Sequence, residues 1–178
     1  IDVRLVGSEM CIRDSHRSVF HGDRVGVNPT MKFKVDSATT IDLSYEYADH
    51  ERFIDRGIPT ANGEPIEALK DFVIGTSVLN RTTLEANILK GSLTHDYADN
   101  GKINFSVTAN DFRKMYKNIY ASGYAAGVVT VDGYLDETAR ESTIIALSNV
   151  NEFDRGTLAV GLEFIDTENT NFRYNTYW

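Results

Sequence analysis

Asp49, His50 and Glu51 are the nearest approach in this chain to a metal-binding set. Neighbouring residues of an extended strand point to opposite faces, so Asp49 and Glu51 converge while His50 turns away. That divided trio is a poor coordination shell. His16, His21 and His95 add no partner in sequence, and His95 falls on an apolar parity. Asp42 and Glu46 share a strand face but stand too far apart for paired-carboxylate catalysis. GYAAG and GSEM have neither the spacing of a phosphate-binding loop nor that of a nucleophile elbow. Cys11 is the single cysteine, so no intrachain disulfide forms. By these residues the chain reads as no enzyme.

Composition narrows the class. The chain has 178 residues, 42% of them hydrophobic, enough for one domain with a sizeable core. A net charge of -8 with no basic stripe argues against nucleic acid as a partner. No apolar run approaches the length of a membrane helix, which leaves a β-barrel open, because its signal per strand is weak. No basic start followed by an apolar middle marks a signal peptide, so an exported form is expected to begin upstream.

The elements that position these residues are strands. In TTIDLSYEY, Ile41, Leu43, Tyr45 and Tyr47 alternate with Thr40, Asp42, Ser44 and Glu46. Period-two alternation makes a strand with one apolar and one polar face. DRGIP and NG then break the ladder, and Phe53–Asn80 reads as a long loop. Met31, Phe33 and Val35 form a short strand before it, turned by Asp36-Ser37-Ala38. ILKGSLTHDY and KINFSVTANDFRKMY pair across ADNG, a strong hairpin signal at Asn100-Gly101. Lys117–Gly127 reads as a second long connection. VVTVDGYLDETARESTIIALSNV, polar on both sides from Asp136 to Ser142, is one strand whose polar end projects into water, and NEFDRG turns it into TLAVGLEFIDTENTNFRY.

The expected fold is all-β: an antiparallel meander of about six long amphipathic strands in three hairpins, part of a large transmembrane β-barrel. Short turns alternate with long loops, as in such barrels. Lys32, Lys34, Asp42, Glu46, Asn104, Asn110, Glu163 and Asp166 would line a hydrated lumen, and the other parity would meet lipid. Tyr45, Tyr47, Tyr97, Tyr116 and Tyr120 lie near strand ends, where an aromatic girdle belongs. Two alternatives share the pattern: a small complete outer-membrane barrel, and a soluble β-sandwich that binds carbohydrate.

GVNPTMKFKVDSATTIDLSYEYADHERFIDRGIPTANGEP, LTHDYADNGKINFSVTANDFRKMYKNIYASG and GTLAVGLEF together resemble the barrel of TonB-dependent siderophore receptors, the catecholate-type ferric siderophore receptors in particular. The likeness runs from about Val25 to Trp178. Such receptors are barrels of about 22 strands with a plugged lumen. The resemblance therefore implies an internal barrel fragment over 16–178, without its plug domain. Residues 1–15, IDVRLVGSEMCIRDS, resemble translated adapter DNA and are expected to be a non-native leader.

The resemblance further implies a Gram-negative outer membrane, with lipid as a partner. It implies a ferric siderophore bound outside and passage inward driven by the TonB complex, acting through an N-terminal region missing here. Iron would arrive already chelated, so no cofactor is bound directly and no protein metal site is needed. Catecholate complexes are anionic and aromatic, which suits arginine, lysine and tyrosine. The candidates on the loop side are Arg52, Arg56, Arg113, Lys114, Tyr116, Lys117 and Tyr120.

Overall fold

The computed structural model describes residues 2–6, 21–97 and 100–177. The alternating stretch is strand β3, Thr39–Phe53. Strand β2, Gly22–Lys34, lies antiparallel to it, with Lys34 opposite Thr40 and Gly22 opposite Arg52. Asn28 and Pro29 drop out of that ladder, since proline has no N–H to offer. The turn between them is closed by Asp36, whose Oδ1 accepts from Ala38 N at 2.8 Å and Thr39 N at 2.7 Å. The Ala38 N–H, then the Thr39 hydroxyl and N–H, hold the Asp36 carboxyl below its ordinary pKa.

Beyond β3, a loop carries a two-stranded hairpin, β4 (Thr60–Ala61) and β5 (Glu64–Pro65). Asn62 and Gly63 both have positive φ, as a two-residue reversal of this hand requires. A single 3₁₀ turn follows at Glu67–Leu69. Four long strands then run back and forth: β6 (Arg81–Tyr97), β7 (Gly101–Ala125), β8 (Val128–Phe153) and β9 (Gly156–Tyr177). Every long strand pairs antiparallel with its neighbour in sequence, so the sheet is a meander as expected.

Two features depart from the sequence reading. Lys117–Gly127 is no long loop. Strand β7 continues to Ala125, and Ala126-Gly127, with φ of 51° and 80°, turns it directly into β8. Asn118, Ile119, Tyr120 and Ala121 keep the alternation and pair with Tyr134, Gly133, Asp132 and Val131. Cross-strand pairing thus outweighs the weak strand preference of the Gly and Ala residues around them. The register shifts once, between Ala121 and Gly123. Second, Asp2–Val6, set aside as leader, forms strand β1 against Asn28–Lys32. The rest of that leader with Cys11, and also His16, Ala98-Asp99 and Trp178, lie outside the described residues.

Following the register across the strands fixes the faces. Tyr97, Gly101, Asn151 and Leu158 form one row; Leu93, Phe105, Leu147 and Leu162 another; Leu43, Gly91, Val107, Ile145 and Phe164 a third. These rows stack into an apolar band. From the Tyr97 row to the Asn87 row is ten residues of β6. At about 3.3 Å per residue and a tilt of about 45°, that spans ~23 Å, the height of a transmembrane barrel's apolar belt. Above it the same face turns acidic at once, with Asp111, Glu141 and Glu168 side by side.

The sizeable core suggested by composition is absent among the described residues. Phe53, 2% exposed, is the one buried large apolar side chain, while Leu162 is 77% exposed and Phe164 61%. The accessible surface is 12712 Å², where a compact soluble monomer of 19.9 kDa exposes roughly 8,700 Å². No second sheet covers the band among the described residues, as a sandwich would require. Nor do β1 and β9 pair with each other to close a small barrel. The opposite face is polar and bonded across strands: Lys32 pairs with Asp42 at 3.2 Å, Thr94 donates to Asn104 at 3.1 Å, and Asn110 to Ser142 at 3.0 Å.

Candidate ligand-binding site

Strands β7, β8 and β9 extend well past the apolar band on the side away from the Asp36–Ala38 turn. On their polar face, Asn118 of β7 lies opposite Tyr134 of β8, with Tyr116 and Tyr120 on either side of Asn118. Arg173 of β9 lies opposite Asp136, two residues from Tyr134. These positions share the parity of Asn104 and Asn110 lower in β7, so they continue the polar wall.

Arg56 reaches this wall from the loop after β3. Asp55 Oδ1 accepts from Gly57 N at 2.9 Å, and Gly57 has φ of 86°, a tight local turn that presents Arg56 sideways. Its Nε donates to Asn118 Oδ1 at 3.0 Å and its Nη2 to the Tyr134 hydroxyl at 3.1 Å. Its guanidinium also lies 4.8 Å from the centre of the Tyr120 ring.

Tyr134 is the hub. Its ring stacks on Tyr116 at 5.5 Å between centroids and 15° between planes, and meets Tyr120 edge-on at 6.3 Å. Arg173 lies 4.6 Å from the Tyr134 centroid. Burial raises the Tyr116 phenol above its ordinary pKa, against the opposing pull of Arg56. It therefore stays neutral and able to donate at pH 7. Neither Arg56 nor Arg173 has a carboxylate within 4.0 Å among the described residues. Two guanidiniums held by neutral and aromatic groups keep their charge for an anion.

Asn80 ties the loop to the wall. Its side chain is fully buried, 0% exposed. Nδ2 reaches the carbonyls of Ile119 (2.8 Å), Ile74 (3.0 Å) and Ile54 (3.2 Å), while Oδ1 accepts from Ile119 N at 3.2 Å. Gly75, with φ of 92°, leaves room for it: any Cβ there would collide with the Asn80 carboxamide. The bracket satisfies backbone groups at both ends of the loop, which fixes where Arg56 departs.

Of the residues named from sequence, the structure brings Arg56, Tyr116 and Tyr120 together. Arg52 and Lys114 share the polar parity but do not bond to the cluster; Arg52 sits opposite Gly22 and Thr82. Arg113 and Lys117 turn to the other face. There Arg113 lies 3.4 Å from Asp111 and lines an open groove of about 360 Å³ with Met115 and Phe172. Tyr116 and Tyr120 are correspondingly no part of a girdle. Tyr45, Tyr47 and Tyr97 do lie on the apolar face, and nearness to a strand end is no substitute for parity. Sequence reasoning missed Asn118, Tyr134 and Arg173. The parity of Tyr134 against Val131 and Leu135 was a usable signal; the register that sets it beside Arg56 was not.

No protein-family model matches this sequence, and neither does any characterised protein. Among solved structures, the fold is similar to the siderophore receptor PiuA from Acinetobacter baumannii, with a TM-score of 0.76 and 22% sequence identity. The match covers 95% of this chain and 26% of that receptor, so the chain spans about a quarter of its length. That likeness establishes the architecture: the meander has the fold of one stretch of a siderophore receptor.

Proposed function

We propose that this sheet is an arc of an outer-membrane TonB-dependent receptor that takes up a ferric siderophore of the catecholate type. One observation carries the reading: the sheet has two opposed solvents built into it. Among the described residues, its apolar band has no protein partner, while the reverse face gathers three tyrosines and two guanidiniums that form no ion pair. The first suits lipid. The second suits an anionic aromatic complex in a hydrated lumen. Strands β1 and β9 at the two edges have no second partner strand among the described residues, and further barrel strands would satisfy them. Iron arrives inside its chelator, so the protein supplies no metal ligand. Coupling to TonB belongs to the whole receptor, through its N-terminal region.

The test is uptake of a radio-iron ferric tris-catecholate by iron-starved cells that carry or lack the protein. Uptake should fall to background in its absence, and equally when TonB is inactivated. Undiminished uptake in both strains contradicts the proposal.

A further inference from the structure

Asn118 is 1% exposed, and its Oδ1 accepts from Arg56 Nε at 3.0 Å. Its Nδ2 is buried with no hydrogen-bond partner among the described residues. Burying an unsatisfied donor costs stability, and such a group in a native fold calls for a reason. An aspartate of the same shape would have no orphaned donor. It would also turn the Arg56 bond, already charge-assisted through the guanidinium, into an ion pair that cancels that charge. The chain carries the amide instead, which bonds Arg56 without opposing its charge.

We infer that Asn118 is a positioning and specificity-determining residue: it fixes Arg56 while leaving its positive charge uncancelled for an anionic ligand. The setting supports this. Asn80, the residue before β6, is also a buried amide and holds Ile119 N and O, so the wall beside Arg56 is anchored without a carboxylate. Asp132 and Asp136 flank Tyr134 on the same face, yet neither comes within 4.0 Å of Arg56 or Arg173. The inference rests on the receptor reading above and adds what selects the charge of the ligand.

The experiment uses the protein in its native outer membrane and two probes, a trianionic ferric tris-catecholate and a neutral ferric tris-hydroxamate. Asn118→Asp keeps the anchor and cancels the charge. It should weaken binding of the trianion by about tenfold or more and leave the neutral complex within about twofold. Wild-type affinity for the trianion in Asn118→Asp overturns the inference, as does an equal loss for both probes, which marks a merely structural residue. Should Asn118→Asp fail to reach the membrane, Asn118→Leu removes the anchor without adding charge. It should weaken the trianion by about threefold or more, and wild-type binding by it overturns the inference. A wild-type protein that does not bind the trianion defeats the receptor reading instead.

Discussion

Val107→Arg will destabilise the assembled protein by about 2–4 kcal/mol, whereas Ser106→Arg, one residue away, will cost almost nothing. Val107 stands in the row of Leu43, Gly91, Ile145 and Phe164, in the middle of the apolar band. A guanidinium there must leave water for hydrocarbon, or drag water in with it. Ser106 stands in the opposite row, between Ser92 and Ala146, with Glu163 beyond. An arginine there stays hydrated and gains an acidic neighbour. The check is heat-modifiable gel mobility after assembly in the outer membrane. The shifted band should persist in Ser106→Arg and be largely lost in Val107→Arg. Equal loss, or equal tolerance, would contradict the assignment of faces.

The second large effect concerns the ligand. Replacing Arg56 and Arg173 together by alanine should weaken binding of a ferric tris-catecholate by on the order of a hundredfold or more, because each guanidinium supplies charge-assisted contacts of about 1.5–3 kcal/mol. The tyrosines are secondary: Tyr134→Phe keeps both stacks and loses only the hydroxyl that accepts from Arg56, a change of a few tenths to about 1.5 kcal/mol. Fluorescence quenching on titration with the complex measures both. A double arginine variant with unaltered affinity would mean that the ligand binds elsewhere.

Much of this fold was legible because strand chemistry is local. Alternation in Thr40–Tyr47 and Asn104–Asn110 assigns each side chain to a face without any knowledge of partners. Turn chemistry located Asp36–Ala38 and the reversal near Asp154-Arg155 for the same reason. What failed was reasoning from composition where pairing decides. Lys117–Gly127 contains residues that suit a loop, yet its ladder to β8 holds it extended, and the turn shrinks to Ala126-Gly127. The girdle went wrong at Tyr116 and Tyr120 because position along the strand was weighed above parity.

The site shows the same division. Arg56, Tyr116 and Tyr120 could be named because their types suit an anionic aromatic ligand. Arg113 and Lys117 suit such a ligand equally by type, yet they alternate to the face of the apolar band. Tyr134 and Arg173 are 78 and 117 residues from Arg56 in sequence, and only the β7–β8 and β8–β9 registers bring them beside it. Register of this kind is set by turn lengths and by whole-sheet pairing, which no local window contains. A strand asparagine on a polar face, such as Asn118, carries no signal in sequence until its partner is known.

One labelling experiment measures which solvent each side of the sheet meets. In a Cys11→Ser background, Leu162→Cys and Glu163→Cys place single thiols on the two faces of β9 in the intact outer membrane. Leu162→Cys should resist a water-soluble maleimide and react with a lipid-soluble one, while Glu163→Cys should react with the water-soluble reagent. A Leu162 thiol that reacts freely from water, or that neither reagent reaches because protein covers it, would contradict the account.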